Sequence, residues 1–394
     1  MTYGMNSHRS SLGTLLHHVH VSGPLSRAAL AARMGVNRST ILALTSELVA
    51  AGLVREEHPR GTTGAAGRPS LVVRPESERV YVLAFDVAVD RLTAARVGLG
   101  ARVLDSRAAP RPRAGVDLDA VVGTLAGLGR DLYREAPRGS VCMGIGASYT
   151  GMIRPVDGMV RYGPEMGWVD QAFGTELERS LALGLPVAVG NEAHLGALAE
   201  YARGAGVGEP DLIYLHGDVG VGGGILVGGK LLGGEGGYGC EVGHMLVNPV
   251  DGRPCLCGSR GCLEAEVGEY ALLAAAGRPP GTIGRQAVRS AVRDPGAAAA
   301  VAEIGDWLGI GVANLINLFN PGVVIFGGML QDIYAAAAPH VAARIAQHAM
   351  PVSRERARLR LAGLGDDSTL IGAAELGFTP LLRDPLMGIE RNAS

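Results

Sequence analysis

Residues 233–264 read GGEGGYGCEVGHMLVNPVDGRPCLCGSRGCLE. Three thiols, Cys255, Cys257 and Cys262, fall within eight residues, and His244 stands eleven positions before the first. Thiolate and imidazole are donors that Zn²⁺ takes readily, and four of them close a tetrahedral structural site with no open position for catalysis. The spacing C-x-C-x₄-C is tighter than the paired C-x₂-C knuckles of a zinc finger, so the stretch reads as a metal-pinned loop inside a larger domain. The alternative is three ordinary cysteines in a glycine-rich loop. Only five cysteines occur in 394 residues, and the clustering of three of them here weighs against it.

The stretch also holds acids that such a metal does not need. Glu241 precedes His244 by three residues, and Glu264 follows Cys262 by two. An ionised carboxylate only accepts hydrogen bonds and sugar hydroxyls donate them, so acids on a stapled loop suit a sugar. Solvated loop charges would have the same spacing, and the chemistry of these residues alone leaves both readings open.

The run E-x-G-H followed by C-x-C-G-x-x-G-C-x-E resembles the signature of the ROK family, which contains bacterial sugar kinases and sugar-responsive transcriptional repressors. The resemblance implies that His244, Cys255, Cys257 and Cys262 bind zinc and that Glu241, His244 and Glu264 lie against a sugar. It extends along essentially the whole chain and implies an α/β body of two lobes with the actin and hexokinase fold.

Composition sets the frame. A chain of 394 residues exceeds one ordinary core, so two or three domains are expected. No apolar run approaches the roughly 18–20 residues that span a bilayer, and MTYGMNSHRS lacks the basic start and apolar core of a signal peptide. Thiols at metal spacing then predict a reducing, cytoplasmic setting without membrane contact. Residues 1–80 carry nine Arg against five Glu, a net +4, while the whole chain is −2, so the remainder is −6. A basic head on an acidic body predicts that the head meets a polyanion.

The head has the elements to do so. Residues 9–20 have apolar positions at helical spacing. A second helix begins near Ser26 and a third near Asn37, with Gly35 between them as a turn, which is helix-turn-helix spacing. In the third helix Ile41, Leu44 and Leu48 form a buried stripe and leave Asn37, Arg38, Ser39, Thr40 and Thr45 as candidate DNA contacts. LVREEHPRGTTGAAGRPSLVV then reads as two short strands flanking a wing, with Arg60 and Arg68 at its tip, where they would reach phosphates or a minor groove. A helical hairpin used for dimerisation is the competing reading. Helix spacing, wing and local charge agree on a winged helix-turn-helix over residues 1–79 that binds operator DNA as a homodimer or homotetramer.

The body divides into a first lobe, 80–190, and a second, 191–394, with the zinc loop at 241–264. A buried strand (80–86), a turn and a second strand (92–98) stand where the kinase relatives carry D-x-G-x-T, whose glycines admit ATP phosphates. Here the run is Asp86-Val87-Ala88-Val89-Asp90, which obstructs phosphate and argues against ATP. The buried strand 141–149 leads to a loop resembling the family's sugar-side loop, with Gly151 near its P-G position and Glu165 where Asn is usual. In the kinases the next turn reads Asn-Asp, and the Asp is the general base. Here it is Asn191-Glu192, whose extra methylene displaces the carboxylate by roughly 1 Å, enough to cost about 10²-fold in rate. The second glycine-rich turn carries Asp218, an acid that resembles the repressor branch. These features predict sugar binding by Gly151, Asn191, Glu192, Glu241, His244 and Glu264, with Glu192 a degenerate base position. The expected protein is a sugar-responsive repressor with structural Zn²⁺. The competing reading is an active or bifunctional ATP-dependent sugar kinase.

Overall fold

The computed structural model describes residues 2–59, 70–113 and 115–386. The head is built from α1 (Thr2–Ser22), β1 (Leu25–Ser26), α2 (Arg27–Met34), α3 (Arg38–Ala50), β2 (Val54–Glu57) and β3 (Val72–Pro75), its strands antiparallel in the order β1-β3-β2. Local chemistry sets these boundaries. The Ser26 hydroxyl accepts from the Ala29 N–H at the start of α2, Gly35 ends that helix at φ 64°, and the Asn37 side chain caps α3 through the Thr40 N–H. Helix α1 begins seven residues before the predicted 9–20, because apolar spacing reports only the turns that bury a face. Arg60 and Arg68 lie outside the described residues.

The first lobe contains β4 (Val80–Val87), β5 (Arg91–Gly98), β6 (Arg102–Pro110), α4 (Leu118–Arg134) and β7 (Val141–Tyr149). A small sheet of β8 (Met152–Arg154), β9 (Met159–Gly163) and β10 (Trp168–Gln171) follows, then α5 (Phe173–Leu181) and β11 (Val187–Asn191). After the crossing helix α6 (Glu192–Arg203), the second lobe begins with β12 (Leu212–Gly217), β13 (Val221–Val227) and β14 (Lys230–Leu231). It continues through α7 (Leu263–Val267), α8 (Glu269–Ala275), α9 (Arg285–Arg293), α10 (Ala298–Phe319), β15 (Val323–Gly328), α11 (Leu330–His348), α12 (Pro351–Arg354) and β16 (Arg358–Leu361), and the chain ends in α13 (Ser368–Arg383).

The two main sheets repeat one plan. Their orders are β11-β7-β4-β5-β6 and β14-β13-β12-β15-β16, each with an antiparallel three-strand meander followed by two parallel strands. The chain crosses between lobes twice. Helix α6 leaves the first sheet and packs on β12 and β13, whereas α13 returns to lie on β4 and β7. Residues 368–383 therefore pack with the first lobe, which corrects the assignment of 191–394 wholly to the second. Gly144 and Gly146 on β7 permit this return: a Cβ at Gly146 would come within 1.9 Å of the Ala373 carbonyl oxygen, and one at Gly144 within 2.2 Å of that of Gly377. Helix α10 is long and apolar enough to cross a membrane by length and composition, but 61% of its apolar window is buried inside the second lobe.

The head is not tethered by a free linker. Leu12, Leu15, Leu16 and Val19 of α1 join Leu30, Ile41 and Leu48 of the head in one continuous core with Val80, Val82, Ala373 and Phe378 of the first lobe. Gly13 lies close enough to α13 that a Cβ there would meet the Leu382 carbonyl oxygen at 2.4 Å. Because head and lobe bury one core, they are expected to unfold together. Leu16→Ala should cost about 2–5 kcal/mol and lower a single melting transition shared by head and first lobe. Calorimetry and urea melts of the full chain check this, and separate melting of the head would contradict it.

Candidate ligand cleft and metal centre

Ligands in open α/β sheets sit beyond the carboxyl ends of the parallel strands, and here three such ends converge. Thr150 and Gly151 follow β7, Asn191 ends β11 and leads into Glu192, and Asp218 follows β12. Between them lies a cavity of about 360 Å³, the size for one small molecule. It is lined by all six predicted sugar contacts, Gly151, Asn191, Glu192, Glu241, His244 and Glu264.

Three of them are held from behind. The Asn191 amide donates to the Gly151 carbonyl at 3.0 Å while its oxygen accepts the His194 N–H at 3.1 Å, so one side chain caps α6 and ties it to the loop after β7. The Thr150 hydroxyl donates to the Glu192 carboxylate. Gly151 has φ +140°, a conformation that L side chains rarely adopt, and a Cβ there would meet the Tyr162 carbonyl oxygen at 2.6 Å.

Beside the cavity the four predicted metal ligands come together. The donor atoms of His244, Cys255, Cys257 and Cys262 lie within 4.8 Å of one another. Tetrahedral bonds of the usual lengths would separate two sulfurs by roughly 3.8 Å and a sulfur from an imidazole nitrogen by roughly 3.6 Å. Cys257 Sγ and Cys262 Sγ are 3.7 Å apart, and Cys255 Sγ is 3.6 Å from His244 Nδ1. The donor set and its spacing fit a tetrahedral metal. With Nδ1 as a ligand, Nε2 would carry the imidazole proton. Glu266, a buried acid outside the predicted set, accepts from the backbone and guanidinium of Arg253 and from the Asn248 amide, pinning the loop that carries Cys255.

Two further acids face the cavity, Glu165 and Asp218. Burial, and then the neighbouring Asp218, pushes the Glu165 carboxyl up to about 8. Burial and then Asp90 push Asp218 up to about 6, and burial with Asp218 raises Glu192 well above the carboxylate range. The Asp218 carboxylate also accepts the backbone N–H of Val89, in the turn where the kinase motif would receive phosphate. Asp86 does not reach outward from that turn: it is buried and accepts from the Ser148 and Thr369 hydroxyls.

On the head surface, Asn37, Arg38 and Ser39 are exposed at the start of α3, and Thr40 is half-buried. The Asn37 oxygen is taken up by the Thr40 N–H and by the Ser39 and Thr40 hydroxyls, and its amide has no partner among the described residues. Thr45 is corrected. It is fully buried and its hydroxyl donates to the Ile41 and Leu42 carbonyls, so it cannot contact DNA. The basic excess is also partly consumed, because Arg9, Arg27, Arg55 and Arg74 pair with Asp384, Glu56, Glu76 and Glu57. Arg38 has no ion-pair partner among the described residues.

The ROK family pattern matches residues 82–379, most of the chain. The protein is a member of the ROK family. A putative xylose repressor of Caldicellulosiruptor sp. (strain Rt8B.4) is 27% identical over 397 residues, covering 95% of this chain and 96% of that one. The crystal structure of a ROK family transcriptional regulator, a homologue of the E. coli MLC protein, superposes with a TM-score of 0.79 at 25% identity, covering 98% and 100% of the two chains. A ROK family glucokinase from Streptomyces griseus, solved with glucose and AMPPNP, has a TM-score of 0.65 at 28% identity and covers 75% of this chain and 99% of its own.

Two expectations follow for this ROK protein. One tightly held zinc per chain should be found by elemental analysis of the purified wild type, and Cys257→Ser should lose it. The second concerns Glu165, a carboxyl whose folded value lies above its ordinary one. Such a group favours the folded state at low pH, and that contribution is lost as pH rises from about 4.5 to about 8. Glu165→Gln should therefore stabilise the unliganded protein by on the order of 1–3 kcal/mol at pH 8 and have little effect at pH 4.5. Melts across that range check the sign.

Proposed function

We propose that this ROK protein is a sugar-responsive transcriptional repressor, with residues 1–79 binding operator DNA as a winged helix-turn-helix. The observation that carries this reading is the joint between head and cleft. Helix α6 spans roughly 18 Å from Glu192, in the cavity, to Arg203, whose guanidinium donates to the His20 and Val21 carbonyls at the end of α1. Arg203 also pairs with Glu375 of α13 at 2.6 Å. Glu375 accepts from Nε2 of the fully buried His20, whose Nδ1 accepts the Gly100 N–H. Burial raises the Glu375 carboxyl, but His20 and Arg203 outweigh it and bring it down to about 2. A ligand that shifts α6 thus moves the helix on which the head is mounted. The full-length coverage by a putative xylose repressor and a ROK regulator, against three-quarters by a glucokinase, supports the same reading.

In this mechanism two heads of a cytoplasmic homodimer address paired half-sites, each inserting the start of α3 into a major groove with Arg38 toward base edges or phosphate. Sugar hydroxyls bond Glu192, Glu241 and Glu264, and the lobes close. Closure shifts the DNA-competent population only as far as the sugar prefers one state over the other. His244, Cys255, Cys257 and Cys262 would hold Zn²⁺, which supplies a structural cross-link keeping His244 and Glu241 in register with the sugar. Kinase chemistry is absent in this reading. The turn after β4 lacks its glycines, Asp218 occupies a backbone N–H that phosphate would need, and Glu192 stands one methylene beyond the place of the base.

Operator duplexes selected from a random pool, with anisotropy as the readout, test the proposal. Arg38→Ala should weaken operator binding about five- to a hundredfold and leave sugar affinity unchanged. Arg203→Gln should leave each ligand bound but bring the ratio of operator affinities, with and without sugar, toward one. Sugar-dependent ADP formation with Mg-ATP would instead establish a kinase.

A further inference from the structure

The cavity is more acidic than neutral sugar recognition requires. Glu165, Glu192, Asp218, Glu241 and Glu264 all line it. A polyol needs acceptors, but uncharged amides or carbonyls serve that purpose without gathering like charges in a desolvated space. The cations nearby do not restore the balance. Arg253, on the cavity wall, is spent on Glu266 and Glu303, and Arg113 is spent on Glu269. Among the described residues, buried Arg111 donates to the Ala88 and Pro112 carbonyls and faces Glu165, Asp218 and Asp90 without an ion pair. A zinc held by three thiolates and a neutral imidazole would leave about one net negative charge beside the same cavity.

Resting on the sugar-sensor reading above, we propose that the effector is cationic, a sugar bearing a free amine, and that its ammonium sits among Glu165, Glu192 and Asp218. These three carboxyl groups come from three separate segments, the loop after β9, the start of α6 and the turn after β12. An ammonium supplies three N–H donors and one positive charge, which would let these crowded, buried carboxyl groups ionise and accept hydrogen bonds. Glu165 is central because it lines the cavity from the first lobe, whereas Asp218 lines it from the second. A ligand cation between them draws the lobes together, and an N-acetyl or phosphate group in the same position would forfeit the attraction or reverse it. The raised carboxyl values of Glu165 and Asp218 in the unliganded protein express the same deficit of positive charge.

Calorimetric titration of the full-length, zinc-loaded protein at pH 7 tests this. The probes are D-glucosamine, D-mannosamine and D-galactosamine, each beside its neutral parent and its N-acetyl derivative, with MnCl₂ as a separate titrant. At least one free amine should bind tenfold or more tightly than its parent hexose and its N-acetyl form. Glu165→Gln should reduce that preference at least fivefold with little effect on the parent hexose, and Asp218→Asn should do the same should the first variant fold poorly. Equal or weaker binding of all three amines, with a neutral sugar bound, overturns the cationic effector and leaves the sensor reading intact. Amine binding that both variants leave unchanged also overturns it. Mn²⁺ bound at the cavity in competition with the amine assigns the carboxylates to a metal and overturns it too. Binding of no sugar in any form removes the sensor reading and this inference together.

Discussion

Helix α6 is the constraint on which the arrangement depends. Its first turn is fixed by the Asn191 cap and by the bond from that side chain to Gly151, and His194 Nε2 reaches the Gly239 carbonyl at 3.1 Å, at the entrance to the metal loop. Near its far end the buried Glu200 carboxylate collects N–H donors from Ala205, Gly363 and Leu364 and the Ser368 hydroxyl. One helix turn later Arg203 grips the end of α1. Helix α6 is therefore held at one end by the cleft and at the other by the head. Cleft, metal loop, C-terminal helix and head are therefore bound to one rod.

Electrostatics divide the molecule along the same rod. The cleft end gathers carboxylates with few free cations, and the head end encloses an acid between His20 and Arg203. The first arrangement is costly without a ligand and the second is satisfied without one. Such a contrast suits a sensor, because the free energy to be gained on binding is concentrated where the ligand enters. The loop that carries the clustered donors is itself pinned: Glu266 accepts from the backbone and guanidinium of Arg253, and the donor atoms of Cys255, Cys257 and Cys262 gather around that of His244.

Much of this was legible in residue order. The clustering of His244, Cys255, Cys257 and Cys262 was readable because three thiols fall within eight residues, and the motif around them pointed to residues that line one cavity. The caps at Ser26 and Asn37 and the strand 141–149 followed from local chemistry and hydrophobic runs. Errors arose where a residue's neighbours in space decide its role. Thr45 looks polar in a helical projection, yet its hydroxyl is satisfied by its own helix and it faces the core. The positive charge of residues 1–80 looked available for a polyanion, yet four arginines are committed to nearby carboxylates. Glu266, Glu200 and Glu375 carried no signal at all, since a buried acid is indistinguishable from a surface acid until its partners are known.

By itself the sequence determined the order of elements, the resemblance to the ROK family, and the residues that stand at its motif positions. These are properties of local spacing and residue type, which survive without knowledge of the fold. Only the tertiary structure decided that α13 returns to the first lobe, that the head shares its core, and that Arg203 joins the cleft helix to α1 across more than 180 residues. It alone also brought Glu165, Glu192 and Asp218 to one cavity. The reason is physical. Packing and charge act through distance in space, and the energy of a buried carboxylate depends on which distant segments supply its donors.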